Sequence, residues 1–410
     1  MQTFFAPSAA LRRRAARVSR VPRRRSLPLL MLGVTTLAAC AATPTPAAHP
    51  TVPGERHAVT SPGTSPASWL YVCNQDDATV SVLDMETLQV VRTVDLQALG
   101  YSANAKPHHV AVEPDGSYWY VSLIGEGKVV KLDTQDRVVG EATFESPGML
   151  SLLPGQDLLV VGRSMSAVNP PSRIGMIRAS DMSIDEMDVF FPRPHAIALE
   201  PSTGIVYTAS LGVNQIAAVD PARERVELTN VEGPQHALMQ FAVSPDGSQM
   251  VISGELSHTA IFFDITDPMK PRRVGTVEVG NQPFDPIYTL DGRQVYLGNK
   301  AANTITLLDA ERFVVEKVFD DPRIREPHGA VLSPDGRYIF ISNTNVREDH
   351  SMMAMGGDHS AHGAHGAHTP AAPVRGGLGS VAVIDVASRE IVEVVEMGNN
   401  TTGMGAPTRR

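Results

Sequence analysis

The segment from Pro107 to Asp133 reads PHHVAVEPDGSYWYVSLIGEGKVVKLD, and this stretch decides the fold. Two apolar runs flank Pro114-Asp115-Gly116, and a third run ends in Asp133. Runs of this length, rich in β-branched and aromatic residues, are typical of strands. Asp-Gly supplies the positive-φ positions of a tight hairpin. The segment therefore predicts consecutive antiparallel strands.

Both parts of this pattern recur along the chain. Hairpin signals related to the first return at Pro245-Asp246-Gly247, Asp291-Gly292 and Pro334-Asp335-Gly336. Apolar strands close at Asp84, Asp133, Asp220, Asp264, Asp309 and Asp385, with Arg178 in the same position once. The successive intervals are 49, 45, 42, 44, 45 and 76 residues. A period of about 40 to 50 residues is that of a propeller blade, and the long last interval indicates an insertion over residues 346–378.

Counting repeats predicts an all-β fold, a seven-bladed β-propeller over residues 69–410. The blades begin near residues 69, 107, 147, 194, 235, 283 and 327. The first blade lacks its leading strand, and the segment from Gly398 to Met404 matches the start of a repeat. We expect this C-terminal segment to supply the missing strand, which leaves no sheet edge exposed in the ring.

The N-terminal residues predict export and anchoring. Residues 1–39 carry eight arginines and no acid. The last of these arginines, Arg25, is followed by the apolar run Leu27–Val34 and then by Leu37-Ala38-Ala39-Cys40. This is the layout of a secretory signal, and the small residues before Cys40 resemble a bacterial lipobox. Cys40 is thus the expected lipidation site, with an ordinary signal cleaved nearby as the alternative. The predicted location is the cell envelope, on the periplasmic side of the outer membrane.

The residues after Cys40 separate anchor from domain. Residues 40–68 are rich in Pro, Ala and Thr and predict an extended tether. From Cys40 onward, 27 Lys and Arg stand against 44 Asp and Glu, a formal charge of -17, so nucleic acid is not an expected partner. With Cys40 lipidated, Cys73 is the one remaining thiol and no intramolecular disulfide forms. We expect a monomer attached to the membrane by its lipid.

Tyr71-Val72-Cys73-Asn74, with the following DATVSVLDMETLQVV, resembles the bacterial YVTN-repeat family of seven-bladed propellers. The resemblance spans residues 69–410. It implies the fold and leaves function open, because this architecture carries lactonases, binding proteins, scaffolds and metalloenzymes.

The starts of the first strands predict a ring of donors at one mouth of the channel. Four repeats place a histidine there, a fifth histidine follows directly, and other repeats offer a methionine or an aspartate. The candidates are His108, His109, His195, His236, His328, Met149, Met404 and Asp285. Imidazole and thioether together suit copper, although other divalent metals also bind histidine. Arg193 and Arg325 lie close before two of these histidines and would attract a small anion or pair with acids such as Glu326.

The insertion in the last blade is a second candidate for metal binding. Its stretch DHSMMAMGGDHSAHGAHGAHT has eight His or Met among 21 residues: His350, Met352, Met353, Met355, His359, His362, His365 and His368. Such tracts resemble metal-gathering segments of periplasmic copper proteins. The insertion lies between the second and third strands of its blade. In a four-stranded antiparallel blade this loop emerges on the same face as the start of the first strand, so loop and ring should share one mouth.

The Pro-His-His step and the ring histidines are also similar to the channel-histidine arrangement of nitrous oxide reductase and thiocyanate dehydrogenase. This resemblance implies a copper-dependent oxidoreductase with one to three ions, a small substrate, a redox partner, and Asp285 or a bound hydroxide as base. Handling of copper without catalysis is equally compatible with the residues. A metal-independent scaffold that binds protein or glycan is the alternative from another class. A lactonase-like hydrolase is disfavoured because the rim has few carboxylates.

Overall fold

The computed structural model describes residues 65–153, 155–346 and 377–408. The predicted signal, Cys40, most of the tether and all His and Met candidates of the insertion lie outside the described residues. The described residues contain two short 3₁₀ helices, Pro66–Ser68 and Ile124–Glu126, and 28 strands. The strands up to residue 230 are β1 Trp69–Asn74, β2 Thr79–Asp84, β3 Gln89–Asp95, β4 Pro107–Val112, β5 Tyr118–Leu123, β6 Lys128–Asp133, β7 Val138–Thr143, β8 Pro147–Leu153, β9 Leu158–Arg163, β10 Arg173–Arg178, β11 Ile184–Asp188, β12 Pro194–Leu199, β13 Val206–Ser210, β14 Gln215–Asp220 and β15 Arg225–Asn230. The remaining strands are β16 Leu238–Val243, β17 Gln249–Gly254, β18 Thr259–Asp264, β19 Arg272–Glu278, β20 Pro283–Tyr288, β21 Gln294–Asn299, β22 Thr304–Asp309, β23 Val314–Phe319, β24 Pro327–Leu332, β25 Tyr338–Asn343, β26 Ser380–Asp385, β27 Glu390–Glu396 and β28 Thr401–Gly405.

The strands form seven antiparallel sheets of four. Blade 1 consists of β28, β1, β2 and β3, and blades 2 to 7 take the following strands four at a time from β4 to β27. In blade 1, Tyr71 lies opposite Gly405 and Asn74 opposite Thr401. The C-terminal segment therefore supplies the first strand of blade 1, as predicted from the sequence.

The first strands of neighbouring blades contact one another around the whole ring. The contacts run from β28 to β4, β8, β12, β16, β20 and β24, and from β24 back to β28. Seven four-stranded blades closed in this way are a seven-bladed β-propeller, and the predicted fold is confirmed.

The predicted hairpins join the first and second strands of their blades. Gly116, Gly247 and Gly336 have φ values of 72°, 70° and 75°, a region where a side chain would be strained. These hairpins define the hairpin face of the propeller. The first strands begin at the opposite end, which we call the mouth face.

The aspartates that end the third strands cap the next turn. Asp84 Oδ1 accepts hydrogen bonds from the backbone N–H groups of Glu86 and Thr87 at 3.0 and 2.8 Å. Blade 3 has Arg178 in this position, and there Asp157 Oδ1 accepts from the backbone N–H of Ser180. The repeated aspartate is therefore explained by turn geometry and needs no functional role.

The core lies between the blades. Tyr71 of blade 1 stacks on Trp119 of blade 2 with ring centroids 4.6 Å apart, and both side chains are fully buried. Burial of one such ring contributes about 2 to 3 kcal/mol, so contacts of this kind hold adjacent blades together. Within the ranges described, no helix has the length and apolar character needed to cross a membrane.

Candidate metal centre in the channel

A β-bulge or equivalent register shift lies near the start of every first strand. In blade 2, Pro107 pairs with Leu123 and Val110 with Val121, so two residues of β4 face one residue of β5. The other six blades shift register at the matching place. Such bulges re-aim side chains and are common beside functional sites. The pairing also shows which residues of the seven blades are structurally equivalent.

The first residues of the seven bulges occupy equivalent positions around the ring, and we call this set the bulge layer. Its members in blade order are Thr402, His108, Gly148, His195, Met239, Phe284 and His328. All seven are buried, and His328, at 8 % exposure, is the most accessible of the six with side chains. The layer is therefore almost inaccessible to solvent.

The register corrects the sequence alignment at blade 5. Leu238 occupies the position that proline holds in five other blades, because Leu238 pairs with Gly254 at the start of β16. His236 thus lies two residues before the strand. Its Nδ1 lies 2.8 Å from Ser257 Oγ and its Nε2 lies 3.1 Å from the Glu232 carbonyl oxygen. His236 is therefore not aligned with the layer, and three blades, not four, place histidine in it.

Met239 is the residue that the sequence reasoning missed. It is 1 % exposed and occupies the layer position of blade 5. A sequence signal for it exists: each of His108, His195 and His328 lies six residues before the proline of its own hairpin, and Met239 lies six residues before Pro245. Counting from the hairpin instead of from the Pro-His pair would have found it.

The other sulfur candidates are packing residues. Met404 follows the bulge of blade 1 and packs with Leu70, Val72 and Phe340. Met149 is the second bulge residue of blade 3 and lies in the cluster that contains Val160 and Ile174. Neither methionine belongs to the bulge layer, because each sits one position or more beyond it.

His108 and His328 form a pair of unpartnered imidazoles. Their ring centroids are 5.9 Å apart and their planes cross at 83°. Among the described residues, neither ring nitrogen of His108 has a hydrogen-bond partner, nor has Nδ1 of His328, and all three nitrogens are buried. Buried polar atoms nearly always have a hydrogen-bond partner, so each of these three nitrogens needs an explanation. Phe284 lies against His328 with centroids 4.7 Å apart and shields it on one side.

His195 is held in one tautomer by the neighbouring blade. Its Nδ1 lies 2.8 Å from the carbonyl oxygen of Arg163, and because a carbonyl only accepts, Nδ1 carries the hydrogen. The lone pair is then on Nε2. A histidine that ligates a metal through one nitrogen usually donates the other N–H in this way.

Arg163 fixes that carbonyl from inside the fold. Its side chain is 1 % exposed, donates from Nη1 to the Glu145 carbonyl oxygen at 2.7 Å, and pairs with Glu186 at 3.0 Å. The guanidinium also lies 3.8 Å from the centre of the Phe144 ring. The residue therefore positions His195 through rigid backbone and not through its charge.

His109 and Asp285 are second bulge residues. His109 Nδ1 accepts a hydrogen bond from the Leu150 backbone N–H at 3.3 Å, so its hydrogen is on Nε2. Asp285 is 6 % exposed, and burial raises the pKa of its carboxyl to about 7. Burial alone causes this shift in pKa. Asp285 therefore shows no electrostatic coupling to the histidines, which a base placed next to them would show.

The histidines of the channel are neutral at physiological pH. Burial, with a smaller contribution from nearby histidines, lowers the pKa of His108 to about 3 and that of His109 to about 4, and burial lowers the pKa of His195 to about 4. Burial also lowers the pKa of His328 well below its usual value, with contributions from His108 and Lys300. Neutral imidazole is the form that binds metal, so no proton has to be removed first.

Two cations lie beside the layer. Arg193 donates from Nη2 to the Met165 carbonyl oxygen at 2.9 Å, and its charge contributes to the lowered pKa of His195. The Lys300 ammonium lies 5.3 Å from the centre of the Phe284 ring. Arg325, the other predicted cation, has its carbonyl oxygen 3.3 Å from the Asn345 backbone N–H, where the insertion begins.

The two ends of the insertion lie at the mouth face. Asn345 Nδ2 donates to the Leu378 carbonyl oxygen at 2.9 Å, and the Thr344 N–H donates to the Glu326 carbonyl oxygen at 3.1 Å. Glu326 is two residues before His328. The insertion therefore leaves and re-enters blade 7 on the face predicted for it, next to one member of the bulge layer.

The donor set of the layer is small. In the part of the chain that the structure describes, no three His, Cys, Asp or Glu side chains are grouped closely enough to hold a metal ion between them. What the layer brings together is three imidazoles and one thioether spread around a closed ring, two of the imidazoles in contact as a pair.

Comparison with known proteins shows the fold and no more. No known protein family matches the chain, and neither does a curated protein. A protein of unknown function from Desulfotomaculum acetoxidans is similar over 84 % of this chain and all of its own, with 16 % identity and a TM-score of 0.61. The dihydro-heme d1 dehydrogenase NirN is 14 % identical over 83 % of this chain and 75 % of its own, with a TM-score of 0.51. A possible 6-phosphogluconolactonase from Bacteroides fragilis is 12 % identical over 84 % of this chain and 99 % of its own, with a TM-score of 0.59.

Proposed function

We propose that this protein binds copper in the bulge layer of the propeller and handles the ion in the cell envelope. The observation that carries the proposal is the His108–His328 pair, with three buried ring nitrogens that have no hydrogen-bond partner among the described residues. A bound ion would satisfy such nitrogens. The neutral state of the rings, caused by burial, favours the same occupant.

The spacing of the pair fits one shared ion. Two imidazoles that each bind an ion at about 2 Å have ring centres about 5 to 6 Å apart, depending on the angle at the ion. The observed separation of 5.9 Å lies in this range. Zinc in structural sites takes four protein ligands, whereas this pair supplies two imidazoles. Cuprous ion accepts fewer and softer ligands.

The buried layer favours handling of copper over catalysis. At most 8 % of any side chain in the layer is exposed. Imidazoles buried to this degree offer little surface to a small substrate. Copper-dependent redox chemistry, which the resemblance to nitrous oxide reductase implies, would require the layer to open first.

The predicted tether enters the propeller at the hairpin face. The described chain begins at Ser65 on the hairpin face, where the Ser68 carbonyl oxygen accepts from the Met85 N–H at 2.9 Å. Pro66 lies beside the hairpin glycine Gly116. The predicted tether thus joins the propeller opposite the mouth, and the His/Met-rich insertion is attached at the mouth. We infer that the insertion gathers copper on the side accessible to partners.

Copper loading of the full chain, purified without an affinity tag, tests the proposal. We expect stoichiometric copper in the wild type, and a loss of at least one equivalent in the variant with His108→Ala and His328→Ala. His236→Ala is the matched control, because this buried histidine is outside the layer and has its own partners. Replacement of residues 347–376 by a short linker measures the contribution of the insertion separately.

Two results would contradict the proposal. A wild type without stoichiometric copper would favour a metal-independent scaffold that binds protein or glycan. If only the linker variant loses copper, the propeller carries a gathering loop and the channel is not a metal centre.

A further inference from the structure

Two methionines lie in chain segments next to the one that carries His195. Met239 follows His195 in the order of the bulge layer and packs with Leu211 and Phe284. Met165, in the loop between β9 and β10, packs against this cluster of Leu211, Met239 and Phe284. That loop lies on the mouth face, because it joins the second and third strands of blade 3.

Met165 is held beside His195 by contacts on both sides. The carbonyl oxygen of Arg163, two residues before Met165, accepts a hydrogen bond from His195 Nδ1 at 2.8 Å. At Met165 itself, the carbonyl oxygen accepts from Arg193 Nη2 at 2.9 Å, and Arg193 is two residues before His195. The chain that carries Met165 is therefore fixed to the start of β12, where His195 lies.

We propose that Met165, Met239 and His195 form a Cu(I) site of two thioethers and one imidazole at the mouth-side edge of the bulge layer. This proposal rests on the copper function proposed above. It adds the place where the ion enters the propeller and the oxidation state of the bound copper. His195 contributes Nε2, since Nδ1 is committed to Arg163. Thioethers are soft ligands that select the cuprous ion over zinc and over cupric copper.

The charges around the three residues favour a monovalent ion. The apolar neighbours Leu211 and Phe284 exclude water, so a charge here is poorly solvated. Arg193 adds a positive charge nearby, because its guanidinium donates a hydrogen bond to the Met165 carbonyl oxygen. A divalent ion is penalised more than Cu(I) under these conditions.

The position suggests the order in which an ion would meet its ligands. Met165 comes from a mouth-face loop, whereas Met239, His108 and His328 are members of the bulge layer. Phe284 contacts both Met239 and His328, because it packs with the first and its ring centroid lies 4.7 Å from that of the second. An ion arriving from the mouth would reach the Met165 sulfur before the imidazole pair.

Anaerobic competition with a chromophoric Cu(I) chelator tests this site, with Zn(II) titrated in parallel. Met165→Leu and Met239→Leu conserve volume and remove only the sulfur. Each should weaken the tightest Cu(I) binding by about tenfold or more and leave Zn(II) binding unchanged, since loss of even an outer partner of a metal site costs about 10- to 100-fold. Met250→Leu is the matched control: Met250 is fully buried in β17 of the same blade, in another cluster.

The measurements use the full chain and, beside it, the chain with residues 347–376 replaced by a linker, so that the methionines of the insertion do not contribute. With one equivalent of Cu(I), copper-edge X-ray absorption of the linker form should show sulfur neighbours. Copper that binds to the linker form without sulfur neighbours would overturn this inference, whether or not the leucine variants fold. Cu(I) binding that depends on His108 and His328 but not on the two methionines would do the same and leave the proposed function intact. A wild type that binds no copper at all would refute both.

Discussion

His108 and His328 lie in contact, with ring centroids 5.9 Å apart, although the blades that carry them are separated by blade 1. The contact is possible because the bulge of blade 1 consists of Thr402 and Gly403. A Cβ atom at Gly403 would collide with the His108 carbonyl oxygen and approach His109 Cδ2 to 2.9 Å. The strand that closes the propeller therefore also sets the geometry of the histidine pair.

Gly403→Ala should disturb this pair and destabilise the fold. The added methyl group meets backbone, which cannot rotate away, and overpacking of this kind costs about 1 to 3 kcal/mol of unfolding free energy. Copper binding should weaken as the pair is forced apart. Denaturant titration and copper competition measure the two effects. Gly212→Ala is the control, because a Cβ there has no neighbour closer than 3.5 Å and should change neither quantity.

Arg163→Met should destabilise the protein and loosen His195. Removing the buried cation leaves the Glu145 carbonyl oxygen and the Glu186 carboxylate without their donor, and loss of such a donor costs about 1 to 3 kcal/mol. Arg173→Met provides the comparison, since Arg173 pairs with Asp188 on the surface and should cost less than about 1 kcal/mol. Equal losses in the two variants, measured by urea unfolding, would refute a positioning role for Arg163.

Sequence periodicity was sufficient for the fold and insufficient for the site. The hairpin glycines and strand-end aspartates act locally, so their spacing revealed seven blades and the closing role of β28. A bulge inserts one residue and shifts pairing, and in blade 5 the proline that marks its start in five other blades is replaced by Leu238. His236 was therefore aligned with the ring when Met239 occupies that position. The burial that neutralises Asp285 and the histidines depends on neighbouring blades, which the sequence of one repeat does not reveal.

The metal-free protein should lose stability as the pH falls from about 6.5 to 4. Burial lowers the pKa of His195 to about 4, and the unfolded chain has an ordinary value near 6.5. Between these values the unfolded chain binds more protons, so each such histidine costs about 1.4 kcal/mol per pH unit. His108 and His109 act in the same direction. In urea unfolding at pH 7, 6 and 5, the free energy of unfolding should decline less steeply with falling pH for His195→Gln than for the wild type. Identical slopes would contradict the lowered pKa assigned to His195.

Asp285→Asn should stabilise the protein, and more so at higher pH. Burial raises the pKa of Asp285 to about 7, above the value near 3.9 of the unfolded chain. The folded state therefore holds a proton that the unfolded state has released, and stability is lost as the pH rises through this window, the opposite sign to the histidines. An amide has no charge to bury, so the variant should gain about 1 to 4 kcal/mol at pH 8 and little at pH 4.5. Denaturant unfolding at both pH values measures the difference. An equal effect at pH 8 and pH 4.5 would mean that Asp285 stays ionised in the fold, and its carboxylate would then be available as a base in the channel.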